Sequence, residues 1–218
     1  MTTTKPRERL TRDRVIDAGL FVMDTEGLEA VSMRRVAREV GVEAMSLYNH
    51  VQDKDDLLRG ICDRVMGDFV FPEPTEDWAE MCKAGARSWR NVLQAHPDVM
   101  RLFAETHGPS PHSPGALLPT EFALRLLREG GLSDRDTVQA FHALGGYIQG
   151  FVMMEGGSIH KSEAAGGVFE DATTQLDPDA FPALRAVSRY FADCSADEQF
   201  EFGLDLLVRG LQAKVATT

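Results

Sequence analysis

The chain has 218 residues, 43% hydrophobic and 26% charged, which excludes disorder, collagen or a coiled-coil fibre as a description of the whole and fits one large domain or two small ones. No stretch approaches the roughly 18 uninterrupted apolar residues of a membrane helix, and the N-terminal residues lack an apolar signal core, so the expected location is the cytoplasm. A formal net charge of −11 argues against a polyanionic partner when taken alone, but residues 1–60 hold ten basic and eleven acidic residues while the remainder holds 13 and 23, so the two parts differ in kind.

Helical spacing recurs from end to end and strand alternation is almost absent, which predicts an all-α fold. Thr11 is a suitable N-cap for a helix over 11–26 carrying Val15, Ala18, Val22 and Met23, closed by Gly27. Ser32 caps a short helix with Val36, Ala37 and Val40 on one face and Arg34, Arg35 and Arg38 largely on the others, ended by Gly41. A further short helix is expected over 44–50. Asp53 then caps a connecting helix whose stripe is Leu57, Leu58, Ile61, Val65 and Met66, with its end placed at 71–75 near Pro72 and Pro74.

Thr75 is the expected cap of the next helix, and Pro97 suits the first turn of a shorter one reaching 107. Residues 108–115 read as a Pro-rich loop. Helices over 116–129 and 134–155 follow, separated by Gly130 and Gly131, and then a Gly-rich loop to about 177. Helices near 179–192 and 196–214 close the chain, the last opened by a Ser195-to-Glu198 capping box. Cys62, Cys82 and Cys194 have no ligand spacing and read as buried, inert thiols.

Ala37, Gly41 and Leu47 have the spacing of a helix-turn-helix. A small residue lets two helices cross closely, Gly41 supplies the positive φ of the turn, and Val42, Leu47 and Val51 dock the second helix. Met45, Ser46, Tyr48, Asn49 and His50 would then lie on its outer side, where such modules meet base edges and phosphates. By spacing alone, a surface α-hairpin with an incidental glycine turn stays open.

The run from Gly27 to Leu58, with Leu47, Tyr48, His50 and Lys54 in a Leu-Tyr-x-His-x-x-x-Lys pattern, resembles the DNA-binding domain of the tetracycline-repressor family. His96-Pro97, the block from Glu121 to Ser133, Gly145 to Gly150, and Phe200 to Leu207 are similar to that family's C-terminal domain. The resemblance implies an N-terminal three-helix DNA-binding domain over 1–58 and an effector-binding and dimerisation domain over 59–218. It further implies a regulator, usually a repressor, that recognises a near-palindromic double-stranded operator and is released by a small-molecule effector.

On this resemblance Tyr48, His50 and Lys54 face phosphates, Arg34 also reaches DNA, and Ala44, Met45, Ser46 and Asn49 belong to the recognition surface. The chemistry fits, because hydroxyl, amide, imidazole and ammonium groups all donate to phosphate oxygens, while Ala44, Met45 and Ser46 can offer apolar contact to thymine methyls or a single hydrogen bond. Lys5, Arg7, Arg9, Arg12 and Arg14 form either a DNA-attracting arm or an ordinary solvated tail.

Dimerisation is expected through the helices over 134–155 and 196–214. Gly146 and Gly150 give the first a small-residue surface, and Phe200, Leu204, Leu207, Val208 and Leu211 give the second an apolar face. Packing of both faces within one subunit is the alternative.

His107 aligns with a histidine that holds a metal-chelated drug in the tetracycline repressor. Met154 stands where a carboxylate is expected, with Glu155 one residue on, and Trp89 and Leu93 occupy positions of polar contacts. The expected effector is therefore largely apolar. Trp89, Phe103, His107, Phe122, Phe141, His142, Tyr147 and Phe151 are the candidate effector contacts, or else plain core. No metal site and no cofactor is expected, since His107 and His112 supply too few ligands. No nucleophile elbow, HExxH or phosphate loop suggests an enzyme; a helical small-molecule-binding or enzymatic protein whose helix-turn-helix no longer reads DNA is the competing class, motivated by the acidic total charge.

Overall fold

A computed structural model describes residues 9–106, 113–156, 173, 176–190 and 195–217. Among the described residues are ten α-helices and no strand. They are α1 (Arg12–Glu26), α2 (Met33–Val40), α3 (Ala44–Leu47), α4 (Lys54–Met66), α5 (Trp78–Ala95), α6 (Val99–Thr106), α7 (Leu118–Glu129), α8 (Asp134–Gly156), α9 (Pro182–Val187) and α10 (Ala196–Ala216). Single 3₁₀ turns occupy Leu28–Ala30 and Pro114–Leu117. His107, His112, Lys5, Arg7, Cys194 and the Gly-rich stretch over 157–172 lie outside the described residues.

The chain divides into two compact units, one of Met1–Val70 with Asn91–Phe122 and one of Phe71–Arg90 with Ala123–Thr218. Of the three divisions, two fall inside helices, α5 and α7, and one falls after α4, between Val70 and Phe71.

In the first unit the local signals act as expected. The side chains of Thr11, Ser32 and Asp53 accept the backbone N–H groups of Arg14, Arg35 and Asp56, each satisfying one donor that a helix start leaves free. Val15, Val22, Met23, Val36, Leu47, Leu57, Ile61 and Val65 form the core. Gly60 and Gly19 let α1 and α4 approach, since a Cβ at either would fall on Ile16 or Ile61.

Two expected boundaries are corrected. The connecting helix ends at Met66 rather than at 71–75, because Gly67 donates back to Asp63 and Arg64 carbonyls and closes the last turn well before the prolines. The cap of α5 is Asp77, whose carboxylate accepts Ala79 and Glu80 N–H groups, while Thr75 donates its hydroxyl to the Asp77 carbonyl.

In the second unit α8 buries Thr137, Ala140, Leu144 and Ile148, a stripe at helical spacing, and α10 buries Phe200, Leu204 and Val208. The Ser195 capping box is present in full. The expected apolar face of α10 is partly spent inside the chain. Positions 200, 204 and 208 form a stripe consumed within the chain, whereas Leu207 and Leu211 are half-buried and the exposed apolar residues are Phe202 and Leu206. All five expected positions lie within about 100° of one another around the helix, so Leu207 and Leu211 flank the buried stripe, while Phe202 and Leu206 lie on the opposite side.

Candidate nucleic-acid interface

The turn between α2 and α3 is built around Gly41, at φ 73° and ψ 39°, a left-handed conformation that side chains resist. Its N–H and that of Val42 return to the Ala37 and Arg38 carbonyls, 3.0 Å for Val42 to Ala37, which closes α2 with its C-terminal carbonyls satisfied. Ala37 is buried at this crossing. Leu47, fully buried, anchors α3 from below.

Helix α3 is shorter than the expected 44–50. His50 N–H bonds the Leu47 carbonyl at 2.8 Å in a tightened final turn, and the chain must leave the helix there so that Asp53 can reach its extended capping conformation. The short helix leaves Met45 75% exposed, with Tyr48 and Asn49 also exposed and Ala44, Ser46 and His50 half-buried. Arg34 and Arg38 are exposed on α2, and Lys54 is exposed at the start of α4. Leu10, Arg14, Val40, Gly41, Val42, Glu43 and Ser46 line an open cleft of about 640 Å³ beside the turn.

Not every cation of this module is available to a ligand. Arg12 donates to both carboxylate oxygens of Asp56, at 2.7 and 2.9 Å, and to the His50 carbonyl at 2.9 Å, tying the start of α1 to the end of the recognition turn. This holds the Asp56 carboxyl at a pKa of about 2, the Arg12 hydrogen bond being the largest cause and the Gln52 N–H adding to it. Arg35 bridges Glu26 and Glu39, which raises its own pKa and lowers that of Glu26. The expected arm is thus partly a structural clamp. No local pattern in the sequence points to the Arg12–Asp56 pair, because its partners lie 44 positions apart and Asp56, in the first turn of α4, is a position that favours an acid on local grounds alone.

The candidate effector residues fall into both units. Phe103 is half-buried and Phe122 buried in the first, Phe122 with its ring 6.0 Å from Phe69. In the second, Tyr147 and Phe151 are brought together at 5.9 Å, and both meet Phe200, at 5.6 and 5.3 Å. The Tyr147 hydroxyl donates to the Phe200 carbonyl at 2.7 Å, and burial pushes its pKa up. Trp89 and Phe141 are half-buried, and His142 is exposed beside Phe141.

Arg90 and Glu155 were not foreseen in this cluster. The Arg90 guanidinium lies 4.5 Å from the Phe200 ring centre and 5.5 Å from that of Phe151, and it pairs with Glu155 and, at 2.8 Å, with Asp197. Glu155, the carboxylate one residue beyond Met154, is therefore engaged by an arginine. Burial pushes the Cys62 and Cys82 thiols up to about 12 and about 11, so neither is a reactive thiolate.

Residues 71–215 match the model of the tetracyclin repressor-like C-terminal domain, and residues 15–61 match that of the tetR family of bacterial regulatory proteins. The chain belongs to the tetR family. As a tetR-family protein it is a DNA-binding transcriptional regulator, and its surface around α3 is the family's helix-turn-helix. It is 32% identical over 225 residues to the HTH-type transcriptional repressor DrrR1 of Streptomyces coeruleorubidus, covering 97% of this chain and 80% of that one. It is 29% identical over 206 residues to the class A tetracycline repressor of Escherichia coli, covering 93% and 91%. The tetR-family protein ActR of Streptomyces coelicolor, solved in complex with actinorhodin, superposes with a TM-score of 0.80 at 30% identity, covering 95% of this chain and 99% of that one.

Proposed function

We propose that this regulator is a repressor that binds a near-palindromic operator as a homodimer in the cytoplasm, the α3 helices of the two protomers entering successive major grooves. In this reading residues 1–58 are the DNA-binding domain and 59–218 the effector-binding and dimerisation domain. The observation that carries the operator reading is the exposure of Met45, Tyr48 and Asn49 on a helix pinned by buried Leu47 and the Gly41 turn, with Arg34 and Lys54 exposed nearby. Tyr48, Asn49, His50, Arg34 and Lys54 serve as phosphate donors, and Ala44, Met45 and Ser46 meet bases.

The dimer reading draws support from α8 and α10. A Cβ added at Gly145, Gly146, Gly150 or Gly210 would meet no atom within 4 Å, and Met153, Met154, Phe202 and Leu206 are exposed. A small-residue and apolar surface of this kind suits a second copy.

The effector in this reading is a largely apolar small molecule, contacted by Trp89, Phe103, His107, Phe122, Phe141, His142, Tyr147 and Phe151, that lowers operator affinity because it favours the state that binds DNA less well. The aromatic grouping of Tyr147 and Phe151 supports it, as does the engagement of Glu155 by Arg90, which leaves that carboxylate an internal partner in place of a metal.

Selection of bound duplexes from random DNA tests the operator reading. Enrichment of an inverted repeat is expected, with Tyr48→Phe and Lys54→Ala weakening all sequences about equally and Ser46→Ala changing the preferred bases. Failure to enrich any sequence overturns it. A compound screen for DNA release, run with and without a chelator, tests the effector reading, and strict dependence of release on a divalent metal overturns it.

A further inference from the structure

A buried imidazole in the first unit meets a carboxylate at each of its two nitrogens. His96, 7% exposed, follows the C-terminus of α5. Its Nδ1 lies 3.0 Å from both carboxylate oxygens of Asp24, near the end of α1. Its Nε2 lies 3.1 Å from Oδ2 of Asp68, two residues past α4.

A neutral imidazole has one N–H and one lone pair, and an ionised carboxylate can only accept. Either neutral tautomer would set a lone pair against a carboxylate oxygen inside hydrogen-bond distance. Only the doubly protonated ring donates to both partners.

The charged surroundings point the same way. From α1 come Asp24 and Asp17, and from the end of α4 come Asp68 and Arg64, with Arg64 bonded to Asp68 at 2.7 Å and to Asp17 at 3.2 Å. The start of α6 supplies Asp98, which accepts the Leu28 N–H at 2.7 Å and faces Arg101, and Arg101 in turn pairs with Glu29 of the 3₁₀ turn. Acidic groups outnumber the two arginines in this set, so a cationic ring offsets excess negative charge.

We propose that His96 is a proton-operated clasp of the first unit: its doubly protonated ring ties the ends of α1 and α4 to the α5–α6 junction, and losing one proton frees one of those ends. Because α1 and α4 flank α2 and α3 in sequence and pack on one another, the helix-turn-helix module is held more firmly as protons are added. The clasp does not depend on the operator reading, so its test uses no DNA and separates failure of one from failure of the other.

The experiment is a two-bond ¹H–¹⁵N correlation of the full chain at about pH 6 and about pH 8.5, a span that brackets ordinary histidine titration, with thermal unfolding of wild type and His96→Gln over the same range. The ring signals lost in His96→Gln identify His96, and both nitrogens are expected at imidazolium positions at the lower pH. The midpoint advantage of wild type over His96→Gln is expected to shrink by several degrees as pH rises. A single neutral tautomer at the lower pH, or an advantage independent of pH, overturns the proposal. If His96→Gln does not fold, Asp68→Asn replaces it with the same shrinkage expected, and the ring signals that shift in Asp68→Asn identify His96 in the wild-type spectrum, which then decides whether the ring is doubly protonated.

Discussion

The α1–α4 module and the α8–α10 pair treat their surfaces in opposite ways. In the first, most apolar residues are spent on the interior, with Phe21, Met45 and Tyr48 the large exposed exceptions, the three helix starts at Thr11, Ser32 and Asp53 are capped by side chains, and Arg12 and Arg35 stitch the outside. In the second, the interior is equally well filled by Leu144, Ile148, Phe200 and Leu204, yet Met153, Met154, Phe202, Leu206 and open-faced glycines remain on the outside. The difference teaches that burial inside one chain and readiness for a second copy can occupy different stripes of the same helix.

The comparison is tested most severely in the core that both stripes depend on. Phe200→Ala removes a fully buried ring that contacts Tyr147, Phe151 and Arg90, and a loss of about 3–5 kcal/mol in denaturant unfolding is expected. Gly146→Leu should leave the helix content of the protomer intact, because nothing lies within 4 Å of its added Cβ, while weakening association by about 1–3 kcal/mol if a partner helix approaches there. Analytical ultracentrifugation alongside circular dichroism reads both parts. A variant that associates like wild type removes the open glycine face from the dimer reading.

Gly41→Ala sharpens the other side of the comparison. With φ at 73°, an added Cβ meets no neighbour but strains the backbone, and a loss of about 1–2 kcal/mol is expected in thermal or denaturant unfolding. The smallest effect belongs to the clamp. The folded Asp56 carboxyl titrates near 2, below its unfolded value near 3.8, so its contribution is complete above the unfolded value and disappears as pH falls through the folded one. Arg12 is 44% exposed, and the solvent-screened pair is therefore worth about 1 kcal/mol or less. Acid titrations of wild type and Arg12→Ala should diverge above about pH 4 and converge near pH 2.

Local signals were legible in the sequence because they act over three or four residues. Thr11, Ser32, Asp53 and Ser195 cap where their spacing says they should, and Gly27, Gly41 and Gly131 all adopt positive φ. The end of α4 was not legible, because the prolines are a conspicuous stop signal and the turn at Gly67 is a quiet one. The Arg12 clamp, the Arg90 cluster and the His96 bridge join residues far apart in the chain, and no periodicity encodes them. Within the interface, the exposure of Met45, Tyr48 and Lys54 follows from the spacing of Ala37, Gly41 and Leu47; which cations are already neutralised does not.

That neutralisation sets a thermodynamic valence. Each phosphate neutralised on duplex DNA displaces about 0.9 condensed counterion, but a guanidinium that already carries an internal carboxylate displaces fewer. Arg12 is matched to Asp56, and Arg35 to Glu26 and Glu39. The logarithmic dependence of operator affinity on salt should accordingly be shallower than the cations of residues 9–60 suggest, by up to about two charges per protomer, with Arg34, Arg38 and Lys54 contributing the larger share of the ion release.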